Sequence, residues 1–436
     1  MENWFTLNCK KIFDMKVFKF GGASVKDVDA VRNVLSVLKR YPNEKLLVVI
    51  SAMGKTTNAL EAIVNAAINK SSDLNELISQ LKKYHFDIMD ALFASKQNEV
   101  YNEVNNLFVS LEWDAEDAHA EEFDKCYDQM VGIGELISTR IVEAYLSEQN
   151  INSKWLDVRD TIKTDNTYRE AKVEWEQTQH LIKNFIENEI TKGTDIIVTQ
   201  GFLGCTSENF TTTLGREGSD YTAAIFAYSL GAESVTIWKD VPGVLNADPK
   251  WFDNTVLLEQ ISYQDAIELS YYGASVIHPK TLKPLQNKNI PLLVKSFIKP
   301  EAQGTIINDS TTSSKTPCFI FKVNQFLLSI SSKDFSFIVE ENLSEIFSLF
   351  SKYRIRINTM LNSALSFSVC VDTDDRRLNS LLDELKIKYK VLYNEGVELV
   401  TIRYYDQATI DRVCVDKKLL LEVKSRNTVQ LVVKQV

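Results

Sequence analysis

Lys16-Val17-Phe18-Lys19-Phe20-Gly21-Gly22-Ala23-Ser24 is the stretch on which the reading of this chain turns. The apolar run 17–20 has the pattern of a short strand. It stops at Gly21-Gly22, where the absence of a Cβ lets backbone approach a ligand closely. Residues 25–40 then read as a helix, with Val28, Val31, Val34, Leu35 and Leu38 on one side. Strand, glycine turn and helix together make an anion site, because free N–H groups and the positive helix end meet at one point. Lys19 adds a full positive charge to it.

The rest of the chain supplies more strand ends of the same kind. Residues 45–51 form a continuous apolar run of the sort buried on both faces of a parallel sheet. They lead into Ser51-Ala52-Met53-Gly54-Lys55-Thr56-Thr57-Asn58, a hydroxyl-rich loop opening a helix that reaches Ile63. Residues 72–146 are helical in pattern. Within them Gly132-Ile133-Gly134-Glu135-Leu136-Ile137-Ser138 places Glu135 at a predicted helix start. There it either complements the helix dipole or accepts a substrate ammonium group. A strand is predicted at 155–160, a helix at 174–190 and a strand at 195–199.

The densest chemistry lies in Thr211-Thr212-Thr213-Leu214-Gly215-Arg216-Glu217-Gly218-Ser219-Asp220, just before a predicted helix at 221–229. A structural loop needs the glycines. It does not need a cation and an anion as well, and a positioned arginine is a common anion clamp. The strand 234–239 ends in Lys239-Asp240-Val241-Pro242-Gly243, followed by Ala247-Asp248-Pro249-Lys250. A helix over 273–285, interrupted by Pro279 and Pro284, and a strand at 291–296 complete the alternation.

Strands alternating with helices predict one large α/β domain over 15–307 with a mainly parallel sheet. Residues 1–14 read as an N-terminal tail and 308–317 as a polar linker. Beyond the linker, strands at 326–331, 365–371 and 390–393 alternate with helices at 343–352 and 378–389, predicting a ferredoxin-like α+β domain over 318–396. Residues 397–436 read as a second such unit, shortened by one helix.

The 436 residues suit two or three domains of ~150 residues each. A net charge of -10 argues against a nucleic-acid binder. No apolar run approaches the ~20 residues of a membrane helix. The six cysteines are scattered without a Cys-x-x-Cys, as expected of free thiols in a reducing cytoplasm. The four histidines are scattered too, so no transition-metal cluster is expected and no metal-ligating residue is assigned.

Five of these segments resemble the aspartate kinase family. Lys19-Phe20-Gly21-Gly22-Ala23-Ser24 is similar to its Lys-Phe-Gly-Gly-Thr-Ser motif, and Ser51-Ala52-Met53-Gly54 with Thr57-Asn58 to its second loop. Gly134-Glu135 with Ser138 resembles its Gly-Glu motif. Thr212 to Asp220 resembles its Arg-Gly-Gly-Ser-Asp segment, and Lys239 to Gly243 with Asp248-Pro249 its nucleotide loop. Residues 318–436 resemble the paired ACT regulatory domains that follow the kinase domain.

The resemblance implies an amino-acid-kinase fold and transfer of the ATP γ-phosphoryl to the side-chain carboxylate of L-aspartate, the entry to lysine, threonine and methionine synthesis. It assigns catalytic roles to Lys19 and Asp220. It gives the amino acid to Ser51, Thr57, Glu135, Arg216 and Ser219, with Arg216 on a carboxylate and Glu135 on the ammonium. The nucleotide falls to Lys19, Gly21, Gly22, Ser24, Lys239, Asp240, Asp248 and Lys250, with Mg²⁺ carried mostly by phosphate oxygens and water. The ACT region implies a homodimer or larger homo-oligomer and a lysine or threonine effector, with Asp334 and Ser336 as its contacts.

Four positions depart from the family pattern. Ala23 replaces a Thr, Glu217 a Gly, Ser275 a Lys, and Leu245 a position where an aromatic is common. Glu217 must point away from Arg216, or it weakens the clamp. A kinase acting on another acid, such as glutamate, and a non-catalytic amino-acid sensor are the competing readings. The set of Lys19, Glu135, Arg216 and Asp220 favours an active enzyme on aspartate.

Overall fold

The computed structural model describes residues 14–118, 122–252, 254–274, 277–310, 315–334, 336–373 and 375–436. Ser275 and all but Asp14 of the expected tail lie outside the described residues. The chain forms two compact units. The first takes in the described residues up to Val244, with Glu259–Ile267 and the described part of Ile277–Ser313; the second takes in the rest.

The first unit is built on an eight-stranded sheet. Its strand order is Ser153–Leu156, Ile196–Gln200, Lys45–Ile50, Met15–Phe20, Ser234–Lys239, Leu292–Ser296, Thr305–Asn308, Gln260–Ser262. All neighbours are parallel except Leu292–Ser296 with Thr305–Asn308. Met15–Phe20 is central, paired with Lys45–Ile50 on one side and Ser234–Lys239 on the other. Leu46 to Ile50 are all buried, which explains their unbroken apolar run. Phe20 stacks on Trp238 and Phe18 meets it edge-on. The helices Thr56–Ile68, Leu74–Leu92, Val100–Glu116 and Phe123–Glu148 contribute to the same core.

Three predicted elements start or stop elsewhere, each because of a cap. The helix expected over 25–40 begins at Val28, after a tight turn at Gly22–Val25, because Asp27 accepts the N–H of Ala30 at 2.8 Å. The strand expected over 155–160 stops at Leu156, because Asp157 accepts the N–H of Arg159 and caps the short helix Val158–Thr161. The helix expected over 273–285 begins only at Pro279 and runs to Asn287, and the helix Tyr263–Tyr272 before it is not among the predicted elements. His278 caps Pro279–Asn287, and Pro279 takes the first position, where its missing N–H costs nothing.

The second unit is a six-stranded antiparallel sheet. Its order is Ile357–Asn362, Ser366–Asp372, Cys318–Ser332, Tyr389–Arg403, Thr428–Gln435, Lys417–Lys424. Phe326, Leu328 and Ile330 alternate onto one face, where the helices Glu340–Lys352 and Asp375–Lys388 pack through Ile346, Phe350, Leu381 and Leu385. Leu327, Cys370, Leu399 and Val432 pack together in a separate cluster. Cys318–Ser332 and Tyr389–Arg403 pair along most of their 15 residues, with irregularities between Lys322 and Leu327. Residues 396 and 397, where two sequence units were expected to meet, therefore lie within one strand. Ile357–Asn362 has no counterpart among the predicted strands.

Candidate active site

Parallel strands bring their carboxyl ends to one edge, where open α/β sheets bind ligands. Backbone hydrogen bonds tie three of the loops there. Ser51 N donates to Phe20 O at 3.1 Å, Gly54 N to Gly22 O at 3.0 Å, and Gly201 N to Ile50 O at 3.0 Å. The contact is too close for a side chain at Gly22, where a Cβ would lie 2.8 Å from the Ala52 carbonyl and 2.9 Å from that of Gly54. Gly21 sits beside Lys19, and the buried Ser24 donates its N–H back to Gly21 O at 2.9 Å.

A cavity of about 730 Å³ opens over these strand ends. Lys19, Ser51, Thr57 and Glu135 line it, as do Arg216, Ser219, Asp220 and Lys239. Five segments far apart in sequence are thus brought together. Lys19 Nζ lies 2.5 Å from Asp220 Oδ1, and both side chains are buried. Lys239 Nζ approaches the other oxygen at 4.0 Å. One buried carboxylate thus sets the position of two ammonium groups. Asp240 follows Lys239 at an exposed position.

Glu135 is not at a helix start, as expected, but midway along Phe123–Glu148. The glycines before it serve packing instead. A Cβ at Gly134 would come within 2.9 Å of the Leu60 and Thr56 side chains. The Glu135 side chain is buried, and its Oε2 has no hydrogen-bond partner among the described residues. Burial pushes its carboxyl up to about 8, although the backbone N–H of Ala52 works in the other direction. Three residues on, Ser138 donates to Ser51 O at 2.7 Å and fixes the second loop on this helix.

Helix Gly218–Leu230 starts earlier than expected and carries Ser219 and Asp220 in its first turn. Glu217 precedes it with φ of +55°, in the left-handed region, which is why glycine suits this position. Its Oε2 accepts the N–H of His278 at 2.8 Å, so that oxygen is engaged away from Arg216. Arg216 is exposed at the cavity wall.

Other expected residues belong to the second unit. Asp248 closes a turn by accepting the N–H of Lys250 at 2.9 Å, and Leu245 bridges to Leu257. Asp334 accepts from the hydroxyls of Ser332 and Ser336 and from the N–H of Ser336, which hold its carboxyl well below the usual range. In this structure it stabilises its own turn.

Several cavity residues carried no sequence signal. Arg169, Glu170, Asp124, Tyr127 and Phe202 all line the site. Gly201 is needed because a Cβ there would lie 2.4 Å from that of Ser219. Asp128, fully buried, accepts the N–H groups of Arg169 and Thr213 and the Thr213 hydroxyl. Burial raises its carboxyl to about 6 against those hydrogen bonds. Among the described residues, no three His, Cys, Asp or Glu side chains converge as metal ligands. No helix among them is long and apolar enough to cross a membrane.

Residues 14–296 match the model of the amino acid kinase family. Over 399 residues the chain is 31% identical to lysine-sensitive aspartokinase 3 of Escherichia coli, covering 89% of this chain and 87% of that one. It is 30% identical to aspartokinase 1, chloroplastic, of Arabidopsis thaliana, over 82% of this chain and 63% of that one. Among solved structures it resembles E. coli aspartokinase III in complex with aspartate and ADP (R-state). There the TM-score is 0.80 at 28% identity, with 96% of each chain covered. The same figures hold for that enzyme in complex with lysine and aspartate (T-state).

Proposed function

The chain belongs to the amino acid kinase family, and from that premise we infer that it is an aspartate kinase. It transfers the γ-phosphoryl of ATP to the side-chain carboxylate of L-aspartate, giving 4-phospho-L-aspartate and ADP. The observation that carries this reading is the buried, half-partnered carboxyl of Glu135 in a cavity that also holds Lys19 and Arg216. An α-ammonium group would satisfy Glu135, and a carboxylate would pair with Arg216.

A carboxylate nucleophile is ionised at neutral pH, so the reaction needs no general base. Its difficulty is repulsion between the nucleophile and the triphosphate, and catalysis is mostly positioning and charge neutralisation. Lys19 is the cation at that junction. Asp220 holds it in place, and Lys239 extends the positive charge along the phosphates. Gly21, beside Lys19, leaves backbone room for phosphate oxygens, while Gly22 lets the second loop close against this one and Ser24 closes the turn. Ser51, Thr57 and Ser219 supply hydroxyls beside the reacting groups. Magnesium, when bound with the nucleotide, screens phosphate charge. Among the described residues no three carboxylate, His or Cys side chains converge as ligands, and the ion would be held mainly by phosphate oxygens and water.

The second unit supports a regulatory role by its likeness to the lysine-bound E. coli enzyme. Lysine is the effector this likeness favours, with threonine the alternative. Assembly through this unit as a homodimer, a cytoplasmic location and a place at the head of lysine, threonine and methionine synthesis complete the proposal.

The test is trapping of product as a hydroxamate from protein, ATP, Mg²⁺, L-aspartate and hydroxylamine, with glutamate as the alternative acid. Signal with aspartate and its loss on adding lysine are the expected results. Absence of signal from folded protein that still binds an amino acid would favour a sensor.

A further inference from the structure

The cavity holds a guanidinium that no motif announces. Arg169 has φ of +67°, a left-handed conformation that is costly for any residue with a Cβ. The fold imposes it through Asp128. Arg169 N donates to Asp128 Oδ2 at 2.9 Å, and the same oxygen accepts Thr213 N at 2.8 Å. Ala171 N donates to Thr213 O at 3.0 Å. One buried carboxylate therefore ties the loop of Arg169 to the segment that leads, three residues later, to Arg216.

The side chain is held as firmly as the backbone. Its guanidinium carbon lies 4.4 Å from the centre of the Tyr127 ring, a cation–π contact. Its Nη1 lies 3.5 Å from Asp124, a long and exposed ion pair. Tyr127 and Asp124 lie on the helix that carries Glu135, and all three line the cavity with Arg169. An arginine in a solvated loop needs none of this support.

Charge supplies the reason for it. An α-amino dicarboxylate brings two anionic groups. Lys19 is committed to Asp220 and the phosphate junction, which leaves the guanidinium groups of Arg169 and Arg216 at the cavity wall for the amino acid. We propose that Arg169 is a specificity-determining residue, whose guanidinium pairs with the substrate α-carboxylate alongside Arg216. Asp124 is the partner that the substrate displaces. The proposal rests on the aspartate kinase reading and adds a second guanidinium to its amino-acid subsite.

The test uses Arg169→Gly in the full-length protein, since glycine accepts the left-handed backbone without strain. In the hydroxamate assay, KM for aspartate should rise about tenfold or more, as for loss of a charge-assisted hydrogen bond, with kcat and KM for ATP within about twofold. The α-amide of aspartate lacks the charge that Arg169 reads. Discrimination of the wild-type protein against it should shrink in the variant by the factor that KM rises. Arg169→Asn, which also tolerates this backbone, should behave alike and serves if the glycine variant loses stability. An unchanged KM for aspartate in a variant that melts no lower, or an equal loss for aspartate and its α-amide, would overturn the inference alone. Absence of aspartate-dependent product from the wild-type protein would overturn the functional reading and the inference with it.

Discussion

Asp220 Oδ1 lies 2.5 Å from Lys19 Nζ, although the two residues are about two hundred positions apart in sequence and sit on different elements. Both are buried, so each is the other's main compensation for lost hydration. Site and fold are therefore coupled at this pair. The lysine that meets the phosphates is held by a carboxylate whose own burial depends on that lysine.

Lys19→Met should lower kcat by about 100-fold or more, as when a preorganised charge is removed from a transition state. It should also destabilise the protein by about 2–3 kcal/mol, because Asp220 loses its close partner and is left with the more distant Lys239 at 4.0 Å. Lys19→Met with Asp220→Asn should recover most of the stability and none of the rate. Urea melts beside the hydroxamate assay read both. A double variant as unstable as the single one would show that the pair is not a coupled unit.

Glu135 predicts an opposite pH dependence for folding and binding. Its folded carboxyl, at about 8, lies above its ordinary 4.5. Between those values the folded state holds a proton that the unfolded state has lost, so the ligand-free protein loses stability as pH rises through that window. An ammonium ligand wants the ionised form. KM for aspartate should therefore fall with rising pH up to about 8, by at most about tenfold per unit. Glu135→Gln should flatten both profiles and raise KM for aspartate throughout. A KM profile from pH 6 to 9 that is the same in both proteins would remove Glu135 from the substrate site.

Glu217 carries a strained backbone and a useful acceptor together. Glu217→Ala keeps the left-handed residue and loses the acceptor for His278 N–H, so it should destabilise. Glu217→Gly loses the acceptor but relieves the strain, and should be more stable than the alanine variant by about 1 kcal/mol. Chemical denaturation of the two variants decides it, and an alanine variant at least as stable would contradict the account.

Gly22→Ala tests the closeness of the first two loops. A Cβ 2.8 Å from the Ala52 carbonyl must push the loops apart. Both kcat and affinity for ATP should fall, with a folded protein remaining by circular dichroism. Gly21→Ala, whose Cβ meets only Lys19 Nζ at an ordinary 3.5 Å, should be much milder. Equal effects would show that loop separation is not what the glycine protects.

Much of this was written in local pattern. The strands at 17–20, 45–50 and 234–239 are buried on both faces, so their apolar runs stand out, and their polar ends mark the site. Lys19 sits near the end of one such run beside Gly21-Gly22, and Arg216 and Asp220 sit in a glycine-containing segment where a helix begins. Glu135 was found for the wrong local reason, because glycines that allow helices to touch look like glycines that start one. Arg169 was not legible at all. Its position depends on Asp128, 41 residues earlier on another element, and no spacing rule carries that distance. Ile357–Asn362 was missed because it is an edge strand with exposed Met360 and Leu361, and lacks the alternation of a half-buried one.

The second unit gathers three stretches of chain, and this decides where a gene could be cut. Ala247 and Phe252 come from one side of a kinase-unit segment, yet they pack on Phe319, Val400 and Arg412. A stop codon placed in the polar stretch at 308–317 would not release a tidy catalytic fragment. It would leave Ala247 and Phe252 in water without their partners, as a sticky patch. Grafting the unit onto another kinase would likewise require transplanting 245–258 and 268–276 together with the C-terminal stretch 314–436, so that recombination inherits the three stretches jointly or not at all.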